Sequence, residues 1–239
     1  MSVNFLTRSG MSEASILPES IPGDQDLAAV ESRSESSPSS RPPASLIENC
    51  RRAVLRMGGT KQIRIGVTSA LRGEGRTAVA SSLAIVHSEL FGRRTLLMSA
   101  DPGSPGAGSA KGVLDVLSGS LDINQAVVEQ TPLLATMAAG PLTGSNDEAL
   151  LGNRIFADML RELAGSFDVI VVDLPPILGS PTGALAADAC GKSMLVVRAA
   201  VTPIESVRVA ISTMTGSPVA FLNGEDSRIP RWWRRALER

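Results

Sequence analysis

The chain has 239 residues, 43% of them hydrophobic and 20% charged, with a formal net charge of −1. That length suits one α/β domain of roughly 150–200 residues plus tails. The near-zero charge gives no overall pull toward nucleic acid, and no apolar run approaches the ~20 residues needed to cross a bilayer.

Residues 1–43 are rich in Ser, Pro, Glu and Asp without sustained periodicity, which predicts a disordered arm. Met11 is an alternative start, and the N-terminus lacks the basic head and apolar stretch of a secretory signal. Residues 44–57 have helical spacing, with Leu46, Ile47, Cys50, Val54 and Met57 on one face. From Lys61 onward strands and helices alternate. Strands are expected at 62–69, 95–100, 133–139, 168–173, 192–198 and 219–223. Helices are expected at 77–91, 113–117, 123–128, 147–164, 181–189 and 203–213. A Gly/Ser/Pro stretch over 103–112 reads as a mobile loop. Continuous apolar strands separated by helices predict a mostly parallel sheet with helices on both faces, with ligands at the strands' carboxyl ends. Cys50 and Cys190 form no metal or disulfide pattern and suit a reducing compartment.

The segment Val67-Thr68-Ser69-Ala70-Leu71-Arg72-Gly73-Glu74-Gly75-Arg76-Thr77 follows an apolar strand and opens a helical run. In that context a glycine-rich loop cradles phosphates. Gly73 and Gly75 permit the backbone turns that aim successive N–H groups at one anion. Thr77 sits where a hydroxyl ligand for Mg²⁺ is needed, at the start of a helix whose dipole favours phosphate. Arg76 stands where such a loop needs lysine. Its guanidinium is larger and planar, so it is expected to leave the loop interior, with nucleotide binding weakened and phosphoryl transfer slowed.

The buried strand ending at Asp173, followed by Leu174-Pro175-Pro176, carries a carboxylate placed for the Mg²⁺ hydration shell; its structural alternative is a helix or turn cap. Asp101 lies just past the strand Leu96-Leu97-Met98-Ser99 and is expected near the nucleotide. His87, the only histidine, reads as structural, and Lys111 and Lys192 as surface charges. Trp232 and Trp233 lie among Arg228, Arg231, Arg234, Arg235 and Arg239. This end reads equally as a membrane- or partner-seeking helix and as a solvated basic terminus with packed indoles.

Residues 44–223 resemble the cytoplasmic domain of bacterial tyrosine kinases of the polysaccharide co-polymerase system, which serves capsule and exopolysaccharide export. Gly73-Glu74-Gly75-Arg76-Thr77 resembles the family's GEGK[ST] loop, and Leu97-Met98-Ser99-Ala100-Asp101 its hydrophobic-Asp-Ala-Asp motif. The segment from Gly112 to Gly119 is similar to GLSDVLSG, and Ala139-Gly140-Pro141 to AGP. Asp173-Leu174-Pro175-Pro176 is similar to DTPP, Val196-Val197-Arg198-Ala199 to VVRA, and Leu222-Asn223 to a late VLN. The departures are Arg76 for lysine, Ser99 for the first Asp, and a short loop before Gly112. Glu48 and Arg51 match part of a subunit-docking Glu-x-x-Arg-x-x-Arg helix, but Val54 takes the next arginine. The sequence contains no tyrosine, so no tyrosine within it can be phosphorylated.

The resemblance implies a P-loop NTPase fold of the α/β class: a disordered arm over 1–43, a kinase-like domain over 44–224 and a basic tail over 225–239. It implies ATP or ADP with Mg²⁺ as cofactors. Gly73, Glu74, Gly75, Arg76, Thr77, Ala78 and Asn223 would bind the nucleotide, Thr77 and Asp173 the metal, and Arg76, Asp101 and Asp173 would carry any catalysis. The expected protein is cytoplasmic or peripheral at the inner membrane face. It is a weak or inactive regulator of a membrane-embedded co-polymerase or related export protein, with homo-oligomers a further expectation and no nucleic-acid partner. The alternatives are an active kinase acting on another chain, and a positioning ATPase of the partition type. The latter carries a signature lysine where this chain has Leu71.

Overall fold

A computed structural model describes residues 41–57, 63–103, 110–142, 147–180 and 182–224. Most of the predicted arm, the centre of the 103–112 loop and the Trp-containing end lie outside these residues.

In chain order the elements are α1 (Ala44–Met57), β1 (Ile63–Ser69), α2 (Arg76–Ile85) running on into a π-helical turn (Val86–Leu90), and β2 (Thr95–Ser99). Next come α3 (Val113–Leu117), α4 (Ile123–Ala126), β3 (Val127–Thr131), β4 (Leu134–Met137), a 3₁₀ turn (Asp147–Gly152) and α5 (Arg154–Leu163). The chain continues through β5 (Val169–Asp173), α6 (Gly183–Cys190), β6 (Lys192–Arg198), α7 (Ile204–Thr213) and β7 (Val219–Asn223). The strands form one seven-stranded sheet in the order β3-β4-β2-β5-β1-β6-β7. Every pairing is parallel except the β3–β4 hairpin.

Strand alternation divides the core between the two faces of the sheet. Val169 and Val171 of β5 join Ile63, Ile65 and Val67 of β1 and Met194 and Val196 of β6 beneath α1 and α2, with Cys50, Val79 and Leu83. Ile170 and Val172 face the other way, with Leu96, Met98, Leu195 and Val197 against α3, α5, α6 and α7. The expected apolar face of α1 is the one that packs. Lys192, expected as a plain surface charge, donates from Nζ to the Met57 carbonyl at 3.2 Å and so caps the end of α1.

Three elements depart from the sequence reading. The helix expected over 123–128 stops at Ala126, because Val127 turns to extended backbone (φ −87, ψ 127) and begins β3. The helix expected over 147–164 is broken at Asn153 (φ −89, ψ 158), leaving a 3₁₀ turn before α5. The helix expected over 77–91 changes to π geometry at Val86.

Candidate functional site

Parallel pairing brings the carboxyl ends of β2, β5 and β1 side by side, with Ser99 opposite Asp173 and Asp173 opposite Val67. The loop that leaves β1 therefore opens directly over Asp173. Its backbone turns at Gly73 (φ 81) and Gly75 (φ 87), and Gly75 is the N-cap of α2. These are left-handed conformations in which a side chain is strained; a Cβ on Gly75 would also run into the Asn223 carboxamide. No side chain caps the start of α2. The first N–H groups of a helix have no intrahelical acceptor, so this uncapped start, with the positive end of the helix dipole behind it, suits an anion. Ala70 occupies the first glycine position of a G-x-x-x-x-G-K-[ST] pattern and is fully buried.

The loop is tied from several sides. The buried Glu74 carboxylate accepts the Leu71 N–H at 2.9 Å and also the Thr202 hydroxyl. Asn223 Nδ2 donates to the Glu74 carbonyl at 2.9 Å. Arg198 Nη1 reaches the Gly73 carbonyl at 3.5 Å. Thr202 also accepts the Arg198 N–H at 3.1 Å, closing a turn in which Ala200 is left-handed (φ 59). Asn223 thus reaches the loop backbone from the last strand, and Glu74 binds protein groups on both carboxylate oxygens.

Thr77 donates its hydroxyl to Asp173 Oδ2 at 2.7 Å. The other oxygen, Oδ1, is buried without a partner. Burial, the leading cause, pushes the Asp173 carboxyl up to about 6; the Thr77 bond and the Arg76 charge oppose the rise, and Asp101 adds to it.

Arg76 does not leave the loop interior, contrary to the expectation from its size. Only 8% of its side chain is exposed, and Nη2 lies 2.5 Å from Asp101 Oδ2. Asp101 follows β2, two strands away from β1, and reaches across the end of β5 to give the guanidinium an acceptor inside the site. Asp101 Oδ1 accepts the Gly103 N–H at 3.0 Å. Arg72 Nη1 lies 3.5 Å from Oδ2. The second Arg76 amine, Nη1, is buried without a partner.

Of the residues expected at a nucleotide site, Gly73, Glu74, Gly75, Arg76, Thr77, Ala78, Asp101, Asp173 and Asn223 gather at this one edge of the sheet. Arg72, Arg198 and Thr202 join them unannounced. Arg198 lies in the Val196-Val197-Arg198-Ala199 strand motif, but Thr202 carries no signal in the sequence, because its role depends on a turn 128 positions from Glu74. The two buried orphan atoms have opposite needs: Arg76 Nη1 is a donor suited to an anion, and Asp173 Oδ1 an acceptor suited to a metal-bound water. That pair fits a magnesium–phosphate group. Among the described residues no cluster of three or more His, Cys, Asp or Glu side chains forms a cage for a metal. Magnesium is commonly held by one or two protein oxygens together with phosphates, so Thr77 and Asp173 would suffice. A cavity of about 360 Å³ between Arg64, Arg161 and Phe167 lies at the opposite end of β1 and β5, away from this chemistry.

No protein-family model matches the chain. It is 30% identical over 182 residues to the tyrosine-protein kinase CpsD of Streptococcus agalactiae serotype III (strain NEM316), an alignment covering 73% of this chain and 78% of that one. It is 28% identical over 170 residues to the tyrosine-protein kinase YwqD of Bacillus subtilis (strain 168), covering 66% and 71%. The kinase domain of VpsO superposes with a TM-score of 0.66 at 25% identity, over 75% of this chain and 94% of that domain. The Escherichia coli tyrosine kinase ETK domain superposes with a TM-score of 0.67 at 21% identity, over 85% and 88%, a likeness of fold. The septum site-determining protein MinD of Pyrococcus horikoshii OT3, solved with Mg-ADP, shares the fold at a TM-score of 0.54 and 19% identity, over 67% of this chain and 68% of that one. With a P-loop α/β fold, an ordered set of matching strand ends and relatives of this kind, the chain belongs to the bacterial tyrosine-protein kinase family.

Proposed function

We propose that this chain is a magnesium-nucleotide-binding member of the family with weak or no kinase activity, acting as a regulator in capsule or exopolysaccharide synthesis through a membrane-embedded co-polymerase. The observation that carries the reading is the Arg76–Asp101 pair. The cation of the phosphate loop is committed to a carboxylate of its own chain, while the loop, Thr77 and Asp173 keep a nucleotide-compatible arrangement. Gly73, Gly75 and the first amides of α2 would hold phosphate, and Thr77 and Asp173 would hold magnesium. The bound metal would supply charge neutralisation to the phosphates. Transition-state stabilisation in phosphoryl transfer is largely electrostatic, and here Arg76 is half-spent and Ser99 supplies no carboxylate. Losing two such charges is expected to cost orders of magnitude in rate. With no tyrosine in the sequence, any phosphotyrosine would have to form on another chain.

A peripheral position at the inner membrane face accords with a partner embedded there; no helix among the described residues is long and apolar enough to cross a membrane. The hydroxyl-on-carboxylate contact of Thr77 with Asp173, at 2.7 Å, favours one second reading, an active kinase acting in trans. A single-turnover assay with magnesium ATP and a tyrosine-bearing co-polymerase segment separates the two. Under the regulator reading phosphotyrosine stays at background. A strong signal lost in Asp173→Ala replaces it with the kinase reading.

A further inference from the structure

In a loop of this type the cation ahead of the Ser/Thr reaches the β- and γ-phosphates. Here that cation is Arg76, and its charge is already met. The Arg76–Asp101 pair is closed to solvent, with side chains 8% and 1% exposed. Asp101 is also pinned from behind by the Gly103 N–H at 3.0 Å. Arg72, which approaches Asp101 Oδ2 at 3.5 Å, is 56% exposed, so solvent screens much of its charge. What the buried guanidinium still has to give is the unpartnered Nη1 amine.

We propose that Asp101 is a specificity-determining residue of the phosphate site: by holding Arg76 as a neutral pair, it makes the loop favour a nucleoside diphosphate over the triphosphate. The inference rests on the nucleotide reading above. A neutralised Arg76 offers a hydrogen bond through Nη1, and a diphosphate and a triphosphate can each accept it. It does not offer net positive charge, and the terminal phosphate of a triphosphate most needs that charge. Asp101, fixed beside Arg76, adds repulsion that grows with each ligand charge. In a water-poor site one unit charge a few ångströms away changes affinity by about tenfold or more.

The test is calorimetric titration of the full chain with magnesium ADP and with magnesium β,γ-imido-ATP, read as the ratio of the triphosphate Kd to the diphosphate Kd. The wild type is expected to bind the diphosphate at least as tightly. Asp101→Asn frees the Arg76 charge and should lower the ratio by about tenfold. Arg76→Gln leaves Asp101 opposed only by the exposed, solvent-screened Arg72 and should raise it by about tenfold. The double variant Arg76→Gln/Asp101→Asn removes both charges and should return the ratio to within about threefold of the wild type. If a variant does not melt cooperatively, the wild-type ratio and the remaining variants decide. A wild type that prefers the triphosphate by more than about tenfold, or an Asp101→Asn ratio that stays put or rises, overturns the inference while leaving nucleotide binding intact. Absence of binding by either nucleotide to wild type and variants alike overturns the nucleotide reading, and this inference with it.

Discussion

Replacing His87 with leucine should make the protein more resistant to acid. His87 is fully buried in the π-helical turn after α2, and neither ring nitrogen has a partner. Burial first, and the nearby Arg93 charge second, lower its pKa from 6.5 to about 4. The folded state therefore keeps the ring neutral while the unfolded chain takes up a proton across that window. The unfolded state binds more protons there, so stability falls as pH drops from 6.5 toward 4. The fall from 6.5 to about 4 is worth about 3 kcal/mol. His87→Leu removes this liability together with two unpaired buried nitrogens. Its stability relative to wild type, from urea melts at several pH values, should improve by about 3 kcal/mol between pH 7 and pH 4. The ring itself should titrate near 4 by NMR. A difference that does not change with pH, or a ring titrating at its ordinary value, would refute the assignment of a sealed, neutral imidazole.

Asp173→Asn should show the opposite slope. The folded carboxyl titrates at about 6 against 3.8 unfolded, so ionised Asp173 costs the fold about 3 kcal/mol above pH 6 and nothing below pH 4. The variant should gain by that amount over wild type as pH rises through the window in magnesium-free melts. Glu74→Ala leaves the Leu71 amide and the Thr202 hydroxyl without their shared acceptor. It should cost about 1–3 kcal/mol in urea unfolding and weaken nucleotide binding. Gly75→Ala faces both a left-handed backbone (φ 87) and the Asn223 side chain. It should lower Tm and weaken magnesium ADP binding in titration, whereas alanine at Gly216, which has open space around it, should do neither.

The central strands were legible because β5 and β1 are sealed between helical layers and read as unbroken apolar runs. β3 was not. It lies at the sheet edge with Val128, Glu129, Gln130 and Thr131 exposed, so it has no apolar run, and the short helix before it drew the reading onward. The break at Asn153 was hidden because the same residues satisfy helical spacing on both sides, and only the packed structure rewards the extended backbone there. The π turn leaves no mark in composition, since it changes which carbonyl each amide meets. At the site, Thr77 was legible as a motif position at a helix start and Asp173 as one at a strand end. The Arg76–Asp101 bond was not, because size alone suggested that the guanidinium would move outward. The partner that keeps it in place comes from a strand two positions away in the sheet.

The ties that run from Glu74 to Leu71, Thr202 and Asn223 have a consequence for engineering. They cast the shape of the glycine turn from the protein's own groups, independently of the residue at position 76. A graft that puts lysine at position 76 and aspartate at position 99 would meet a glycine turn already held in shape. Little ordering entropy would then be spent in fitting the phosphate turn around the new cation.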